Sequence, residues 1–468
     1  MTSQLDFTAR KIAILGGGPG GYEAALVAAS LGADVTIVER QGLGGSAVLT
    51  DVVPSKTLIA TADVMTRLTA ARNLGVEFGD VSSPVYADLK VVNHRLLALA
   101  KEQSNDIRRT LERVGVKVMI GEGRLLDNTT IEVTADDGSV DTVKAEALLI
   151  ATGANPRELD TSMPDGERIF TWKQIYNLTE VPEHLIVIGS GVTGAEFASA
   201  YNGLGTKVTL ISSRDRVLPG EDADAAVVLE DVFQARGMTV LGRSRADSVK
   251  NTGDGVLVTL SDGRTVEGSH CLVAVGAIPN TSGIGLEEAG VQLDDRGQIK
   301  VDGVSRTTAP NVYAAGDCTG VFNLASVAAM QGRIAVAHLM GDGVKPLKLK
   351  SVASNIFTSP EIASVGVTEA DVAEGRYQGD VIKLSLHTNA RAKMMDVKEG
   401  FVKIISRKGS GTVIGGVVVG PRASELIFPI AIAVTQKLHV DDLANTFTVY
   451  PSLTGSISEA ARRLHVHM

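Results

Sequence analysis

Lys11-Ile-Ala-Ile-Leu15 runs directly into Gly16-Gly-Gly18-Pro-Gly20-Gly21, and the chain continues as Tyr22–Leu31 and then Asp34–Val38, closed by Glu39. A short apolar run, a glycine-rich turn, a helical stretch and a second apolar strand make a βαβ start. Glycines at 16, 18 and 21 permit a tight turn, with Gly20 inside it. They also let a pyrophosphate come close to the helix N-terminus, and an acid about 20 residues further on can accept from ribose hydroxyls. Glu39 stands at that distance.

The same grammar returns downstream. His184–Ile188 reads as a strand, Gly189-Ser-Gly191-Val-Thr-Gly194 as a turn, Ala195–Leu204 as a helix and Lys207–Ile211 as the next strand. Gly16 and Gly189 lie 173 residues apart, the mark of an internal duplication. In the second copy the closing acid is absent: Ser212-Ser-Arg214 stands where an acid would exclude a 2′-phosphate. Arg214 and Arg216 suit such a phosphate, and they equally suit a solvated surface turn. Two dinucleotide sites in one chain point to a bound flavin and an exchanging nicotinamide, hence to electron transfer.

Around these units, Lys56–Ala71 and Tyr86–Val114 read as long helices, and Val116–Met119, Thr130–Ala135 and Ala147–Ile150 as strands. Asn311–Ala315 leads into Gly316-Asp317. Beyond about residue 350 the pattern changes to strands (Val352–Phe357, Val381–Leu386, Gly400–Ser406, Thr412–Val419) followed by helices. The expected fold class is α/β, with two Rossmann-like dinucleotide-binding domains and a C-terminal α+β domain. A chain of 468 residues exceeds the roughly 250–300 at which single cores stop growing, in keeping with several domains.

The chain carries 50 glycines, against roughly 33 at an average usage of about 7%, and the two turns absorb part of that excess. A net charge of −9 argues against a nucleic-acid or anionic-membrane partner. The start of the chain, Met1 to Lys11, lacks the apolar core of a signal peptide, and runs such as Leu426–Val434 are too short to span a bilayer. A cytoplasmic protein without a membrane span is expected. With Cys271 and Cys318 alone there is no disulfide framework and no zinc or thioredoxin-like spacing. The histidines show no shared ligand face, so no metal is expected, and His465 and His467 read as a solvated tail.

From about residue 10 to 464 the chain resembles the flavoprotein disulfide reductases, the lipoamide dehydrogenase and glutathione reductase group. The marks are Gly44-Gly45 followed by Pro54-Ser-Lys56, then Ala151-Thr152-Gly153 and Gly276-x-x-Pro279-Asn280. Further on come Ala314-Ala-Gly-Asp317-Cys318 and Phe357-Thr-x-Pro360-Glu361. The resemblance implies FAD in residues 1–158 and 283–349, NADH or NADPH in 159–282, and homodimerisation through 350–468. By position, Glu39 would bind the adenosine ribose and Asp317 the ribityl chain. Gly45, Ser46, Gly123, Thr152 and Ala325 would line the flavin or its pyrophosphate, and Lys56 would sit by the flavin N5, paired with Glu196.

The departures define the expected chemistry. That family carries a redox cysteine pair, separated by four residues, where this chain has Ala47 and Val52, so no disulfide can relay electrons. It also carries a His before a proline and a Glu five positions later, where this chain has Tyr450 and Gly455. A phenol with a reference pKa of about 10 is a poor base at neutral pH. The chain particularly resembles an actinobacterial quinone-reductase branch, through Val449-Tyr-Pro-Ser-Leu453 and Ala328-Ala-Met-Gln-Gly-Arg333. The expectation is NAD(P)H:quinone oxidoreduction with Lys56, Glu196 and a partner-derived Tyr450 at the reaction site. Alternatives are a soluble transhydrogenase and a flavin-bearing scaffold dimer.

Overall fold

The run Lys11–Leu15 forms the middle strand of a five-stranded parallel sheet in the order Val312–Ala314, Ala147–Ile150, Lys11–Leu15, Asp34–Glu39, Lys117–Ile120. Both faces are covered, and Ile12 to Leu15 and Ala147–Ile150 are therefore unbroken apolar runs rather than alternating ones. The computed structural model describes residues 10–77 and 85–465. These fall into two units: Met1–Ser55, His94–Pro156 and Ala277–Leu347, and Lys56–Asn93, Arg157–Gly276 and Lys348–Met468.

The second unit repeats the parallel sheet, in the order Thr239–Leu241, Lys207–Ile211, His184–Ile188, His270–Val273, Ile169–Phe170. Register matches too. Leu15 pairs with Val38 and Ile188 with Ile211, and the next residue, Gly16 or Gly189, donates its N–H to Val38 O (2.8 Å) or Ile211 O (2.9 Å). Each glycine turn thus leaves its sheet where neighbouring strands diverge to opposite sides, the position at which open α/β sheets bind ligands.

The helices begin earlier than the sequence reading placed them, at Pro19–Ser30 and Val192–Gly203 instead of Tyr22 and Ala195. Gly18 and Gly191 are the N-caps, so the second half of each glycine motif is already helix, with Pro19 suited to the first turn. Gly16 and Gly189 sit at φ +103° and +108°, a left-handed region that glycine enters freely. A Cβ on Gly21 would lie 1.9 Å from Gly16 O, and one on Gly194 would lie 1.8 Å from Gly189 O. No side chain fits there.

The long helices are Val52–Ala70 and Leu89–Arg113. In the latter, Leu89, Asn93, Leu96, Ala100, Ser104, Ile107 and Leu111 form one buried stripe at helical spacing. The sequence reading did not identify every strand, and several of those it left out are short or half-exposed. Glu122–Leu125 and Val140–Lys144 flank Thr130–Thr134 in a half-exposed antiparallel sheet, and Glu361–Gly366 follows the Phe357–Pro360 segment. In the second unit the C-terminal sheet runs Ala353–Ile356, Glu361–Gly366, Val413–Gly420, Phe401–Arg407, Gly379–Ser385, all antiparallel. Its core joins Val402, Ile404 and Val418 to Ile427 and Ile430 of helix Ala423–Gln436 and to Ile457 and Ala460 of helix Gly455–Arg463. Among the described residues no helix is long and apolar enough to cross a membrane.

Gly21→Ala and Gly194→Ala should each lower stability by about 1–3 kcal/mol through overpacking. Gly191→Ala, whose Cβ would meet nothing within 4 Å, should cost less than either. Urea unfolding midpoints of the three variants check this; equal midpoints would contradict the packing argument.

Candidate functional site

In the first unit the glycine turn is built to receive an anion. The helix Pro19–Ser30 has no side-chain cap and no acid in its first turn, so its leading N–H groups and its dipole face outward. A Cβ on Gly18 would meet no atom nearer than Ala151 O at 3.9 Å, which leaves room over the helix end. Gly45, at φ +56°, closes the other side: its Cβ would come within 2.8 Å of Gly18 Cα. These features fit a dinucleotide pyrophosphate.

Glu39 is 8% exposed, and its carboxylate anchors the turn. Oε2 accepts the Gly17 N–H (2.6 Å) and Oε1 accepts the Gln41 N–H (2.8 Å). Oε1 also accepts the Gly42 N–H at 3.4 Å, and a carboxylate has lone pairs beyond these three bonds, so it retains capacity for ribose hydroxyls. The strand leads on to a polar cavity of about 420 Å³ lined by Arg40, Gln41, Glu122, Asp136 and Asn155 among others. Thr152 and Asn280, from two separately read motifs, come together: Thr152 Oγ1 donates to Asn280 O and Asn280 Nδ2 donates to Thr152 O, each at 2.8 Å. Asn280 N–H also donates to Gly153 O (2.9 Å). Among the described residues Asp317 has no cation paired with it: burial, then the Asp51 charge, pushes its carboxyl up to about 6. Ala325 opens helix Ala325–Leu339, whose Gln331 Oε1 accepts the Gly316 N–H (2.9 Å) beside Asp317.

Three residues expected at the cofactor, Gly20 within the glycine turn and Gly123 and Ser46 by position, also have evident local contacts. Gly20 lies where two helices cross, since a Cβ on Gly332 would fall 2.1 Å from Gly20 O. At Gly123 a Cβ would strike Leu15 Cδ1 at 2.4 Å. Ser46 Oγ shares a hydrogen bond with Thr50 Oγ1 (3.0 Å).

In the second unit, helix Val192–Gly203 is likewise uncapped, and the space at Gly191 is open. Its Glu196, 3% exposed, receives Lys56 Nζ on Oε2 (2.6 Å) and the Phe357 N–H on Oε1 (2.8 Å). Lys56 Nζ also lies 5.0 Å from the Phe357 ring centroid. One turn on, Ser199 Oγ accepts the Ser359 N–H (3.0 Å), so two bonds fasten this helix to the Phe357–Pro360 segment. The carboxylate satisfies both partners and orients the lysine. Ser212 is buried: its Oγ shares a 2.6 Å bond with Ser190 Oγ inside the glycine turn and accepts the Arg214 N–H at 3.1 Å. Arg216 Nη2 is turned to the carbonyls of Pro219 (3.3 Å) and Glu221 (3.4 Å). The Arg214 side chain is exposed and, among the described residues, unpaired. Gly276, at φ +102°, accepts the Arg157 N–H on its carbonyl (2.9 Å).

Ala47 and Val52 are half-buried in the first unit, in helix Gly45–Leu49 and at the start of Val52–Ala70. Cys271 and Cys318 are free and fully buried; burial pushes Cys318 up to about 11 and Cys271 higher still, so neither presents a thiolate near neutral pH. Tyr450 is 85% exposed, and Phe428, Ile432, Phe447 and Val449 of the same C-terminal region are also exposed. His465, expected in a solvated tail, is exposed, with Nδ1 2.7 Å from Asp441 Oδ1; His467 lies outside the described residues. Sequence reasoning missed Ser190, the backbone of Phe357 and the cavity beside Glu39. Ser190 acts through a small hydroxyl and Phe357 through main chain, which leave no compositional trace, and the cavity gathers residues far apart in sequence.

The sequence pattern of the pyridine nucleotide-disulphide oxidoreductases matches residues 10–332, and that of their dimerisation domain matches residues 352–461. Over 468 aligned residues the chain is 54% identical to an NAD(P)H dehydrogenase (quinone) of Mycobacterium tuberculosis, covering 98% of this chain and 94% of that protein. It is 35% identical to a dihydrolipoyl dehydrogenase of Chlorobaculum tepidum, covering 96% of each. The crystal structure of LpdA from Mycobacterium tuberculosis superimposes with a TM-score of 0.93 at 53% identity, over 98% of this chain and 100% of that one.

Asp317 generates a pH signature. Its folded-state pKa is raised, so the protein without cofactor loses stability as pH rises from about 4 to 6, and carries the full penalty above that. Asp317→Asn should therefore raise the stability of the cofactor-free protein by about 1–3 kcal/mol at pH 8 and by nothing below about pH 4. Thermal melts across that range test it; a gain independent of pH would refute the assignment.

Proposed function

The chain belongs to the pyridine nucleotide-disulphide oxidoreductase family, whose members use FAD and NAD(P)H, and on that premise we propose that it is an NAD(P)H:quinone oxidoreductase. It works by ping-pong two-electron transfer without a redox disulfide. The domains proposed are FAD-binding 1–158 with 283–349, NAD(P)H-binding 159–282 and homodimerising 350–468. One observation carries the reading: both glycine turns are kept in full, while Ala47 and Val52 stand where the thiol pair would be.

Bound FAD supplies a two-electron carrier that accepts hydride from a nicotinamide and delivers it to an acceptor. The chain's own residues do the rest. The uncapped helix at Gly18, with Gly16, Gly21 and Gly45 shaping its approach, binds the pyrophosphate. Glu39 accepts from ribose hydroxyls and Asp317 from the ribityl chain, while Ser46, Gly123, Thr152, Gly153 and Ala325 complete the wall. The uncapped helix at Gly191, with Gly189 and Gly194, receives the nicotinamide dinucleotide, and Ser212, Arg214 and Gly276 border it. Lys56, oriented by Glu196, presents a fixed positive charge that stabilises negative charge developing in the transition state. Ala47 and Val52 offer an apolar surface in place of thiols, and Tyr450 from the partner subunit of the dimer offers a flat amphipathic face to a flat acceptor. A quinone acceptor also agrees with the name of the mycobacterial relative.

Anaerobic stopped-flow mixing of the yellow protein with NADH or NADPH, then with a benzoquinone or menadione, tests the proposal. Rapid bleaching followed by rapid reoxidation is expected. Bleaching without quinone reoxidation favours transhydrogenation, and no bleaching favours a scaffold. Lys56→Ala and Glu196→Ala should slow bleaching by about tenfold or more while FAD stays bound. Tyr450→Ala should slow reoxidation alone; unchanged reoxidation would leave it an interface residue.

A further inference from the structure

Lys403 is 1% exposed, in the middle of the apolar strand Phe401–Arg407. Its Nζ donates to Asp222 Oδ1 (3.0 Å) and Oδ2 (2.8 Å), to Asp224 Oδ2 (2.8 Å) and to Glu369. On the neighbouring strand Lys383 sits directly opposite Lys403, and its Nζ lies 3.0 Å from Asp224 Oδ1. Two like charges paired across a sheet, and set against a helix N-terminus, are individually unfavourable. A buried ion pair is also weak evidence for stability; its better-attested use is to fix an arrangement. The arrangement here is the end of a loop.

Asp222 caps helix Ala223–Ala235, its side chain accepting from the N–H groups of Asp224 (3.1 Å) and Ala225 (3.2 Å). The loop it terminates is Ser212–Glu221, which leaves the second strand of the second glycine unit. That loop is bound to the glycine turn itself. Leu218 N–H donates to Ser190 O (2.8 Å), and Ser212 Oγ bonds Ser190 Oγ (2.6 Å). Leu218 holds a left-handed φ of +51°, a conformation that a branched residue keeps only when its surroundings impose it. The surroundings do so: Val217 N–H is fixed by Glu230, Glu221 N–H returns to Leu218 O (3.0 Å), and Arg216 grips the Pro219 and Glu221 carbonyls.

We propose that Lys403 is a positioning residue for the nicotinamide dinucleotide site. By holding the Asp222 cap it sets the Ser212–Glu221 loop, and through Leu218 and Ser212 it sets the Ser190 turn on which the dinucleotide rests. The inference depends on the reading of that turn as the NAD(P)H site. It assigns to the C-terminal sheet a role in coenzyme affinity, in addition to the dimerisation proposed for it.

Asp222→Ser tests it, because serine still caps the helix but gives up the pair with Lys403. Lys403→Arg keeps the charge, and Lys403→Met removes it. With the FAD-loaded protein, NAD⁺ and NADP⁺ binding is titrated through the flavin absorbance, beside the limiting rate of reduction by NADH and NADPH and the melting temperature. Asp222→Ser and Lys403→Met should weaken nucleotide binding by about three- to tenfold, with the limiting reduction rate within about twofold of wild type and Lys403→Arg close to wild type. Should Lys403→Met fail to fold, Asp222→Ser alone decides. A lower melting temperature with unchanged nucleotide dissociation constants would make the cluster purely structural and overturn the proposal. A wild-type flavin that neither nicotinamide bleaches would overturn the site reading itself, and the proposal with it.

Discussion

The carbonyl of the first glycine in each turn presses so closely on the third that any side chain is excluded, 1.9 Å in one unit and 1.8 Å in the other for a hypothetical Cβ. That contact draws the helix start against the strand end, leaves the helix N-terminus uncapped and opens the space above the middle glycine. Everything proposed about dinucleotide binding follows from it. It occurs twice, with the same register and nearly the same φ, so the duplication extends to hydrogen bonds and is not confined to a motif.

On this scaffold the chemistry-bearing groups are few and are fixed by main chain. Glu39 is held by the N–H groups of Gly17 and Gln41 and Glu196 by the Phe357 N–H, so each carboxylate is aimed before any ligand arrives. Lys56 inherits its position from Glu196. Asp317 is the exception: it is half-buried near a second acid and carries a raised pKa, so the cofactor-free first unit bears an electrostatic cost at neutral pH. In the proposed reading, polyol hydroxyls donating to Asp317 offset that cost, which ties cofactor binding to the stability of the unit.

Much of this was legible in the sequence because it rests on periodicity and on glycine. Strands such as Lys11–Leu15 and His184–Ile188 are apolar runs bounded by obligatory glycines, and their limits coincide with the observed ones. The helix starts were placed three residues late, since a glycine-rich segment looks like turn until its N-cap is located. Glu122–Leu125 and Val140–Lys144 were missed because half-exposed hairpin strands need little hydrophobicity. The Lys56–Glu196 pair came from a family resemblance, as no local pattern links residues 140 apart. Lys403 did leave a local trace, a lone charge inside Phe401-Val-Lys-Ile-Ile405, but its partners on another element could be found only in three dimensions.

The central claim is that electrons pass through the cofactor alone, with Ala47 and Val52 replacing a dithiol. An anaerobic titration of the purified, FAD-loaded protein with NADPH, following the flavin spectrum and the free-thiol count together, tests this most directly. The account predicts full bleaching at one equivalent per FAD, no long-wavelength thiolate band and no new thiols, with the colour restored by adding a quinone. Uptake of a second equivalent, or thiols appearing on reduction, would contradict it.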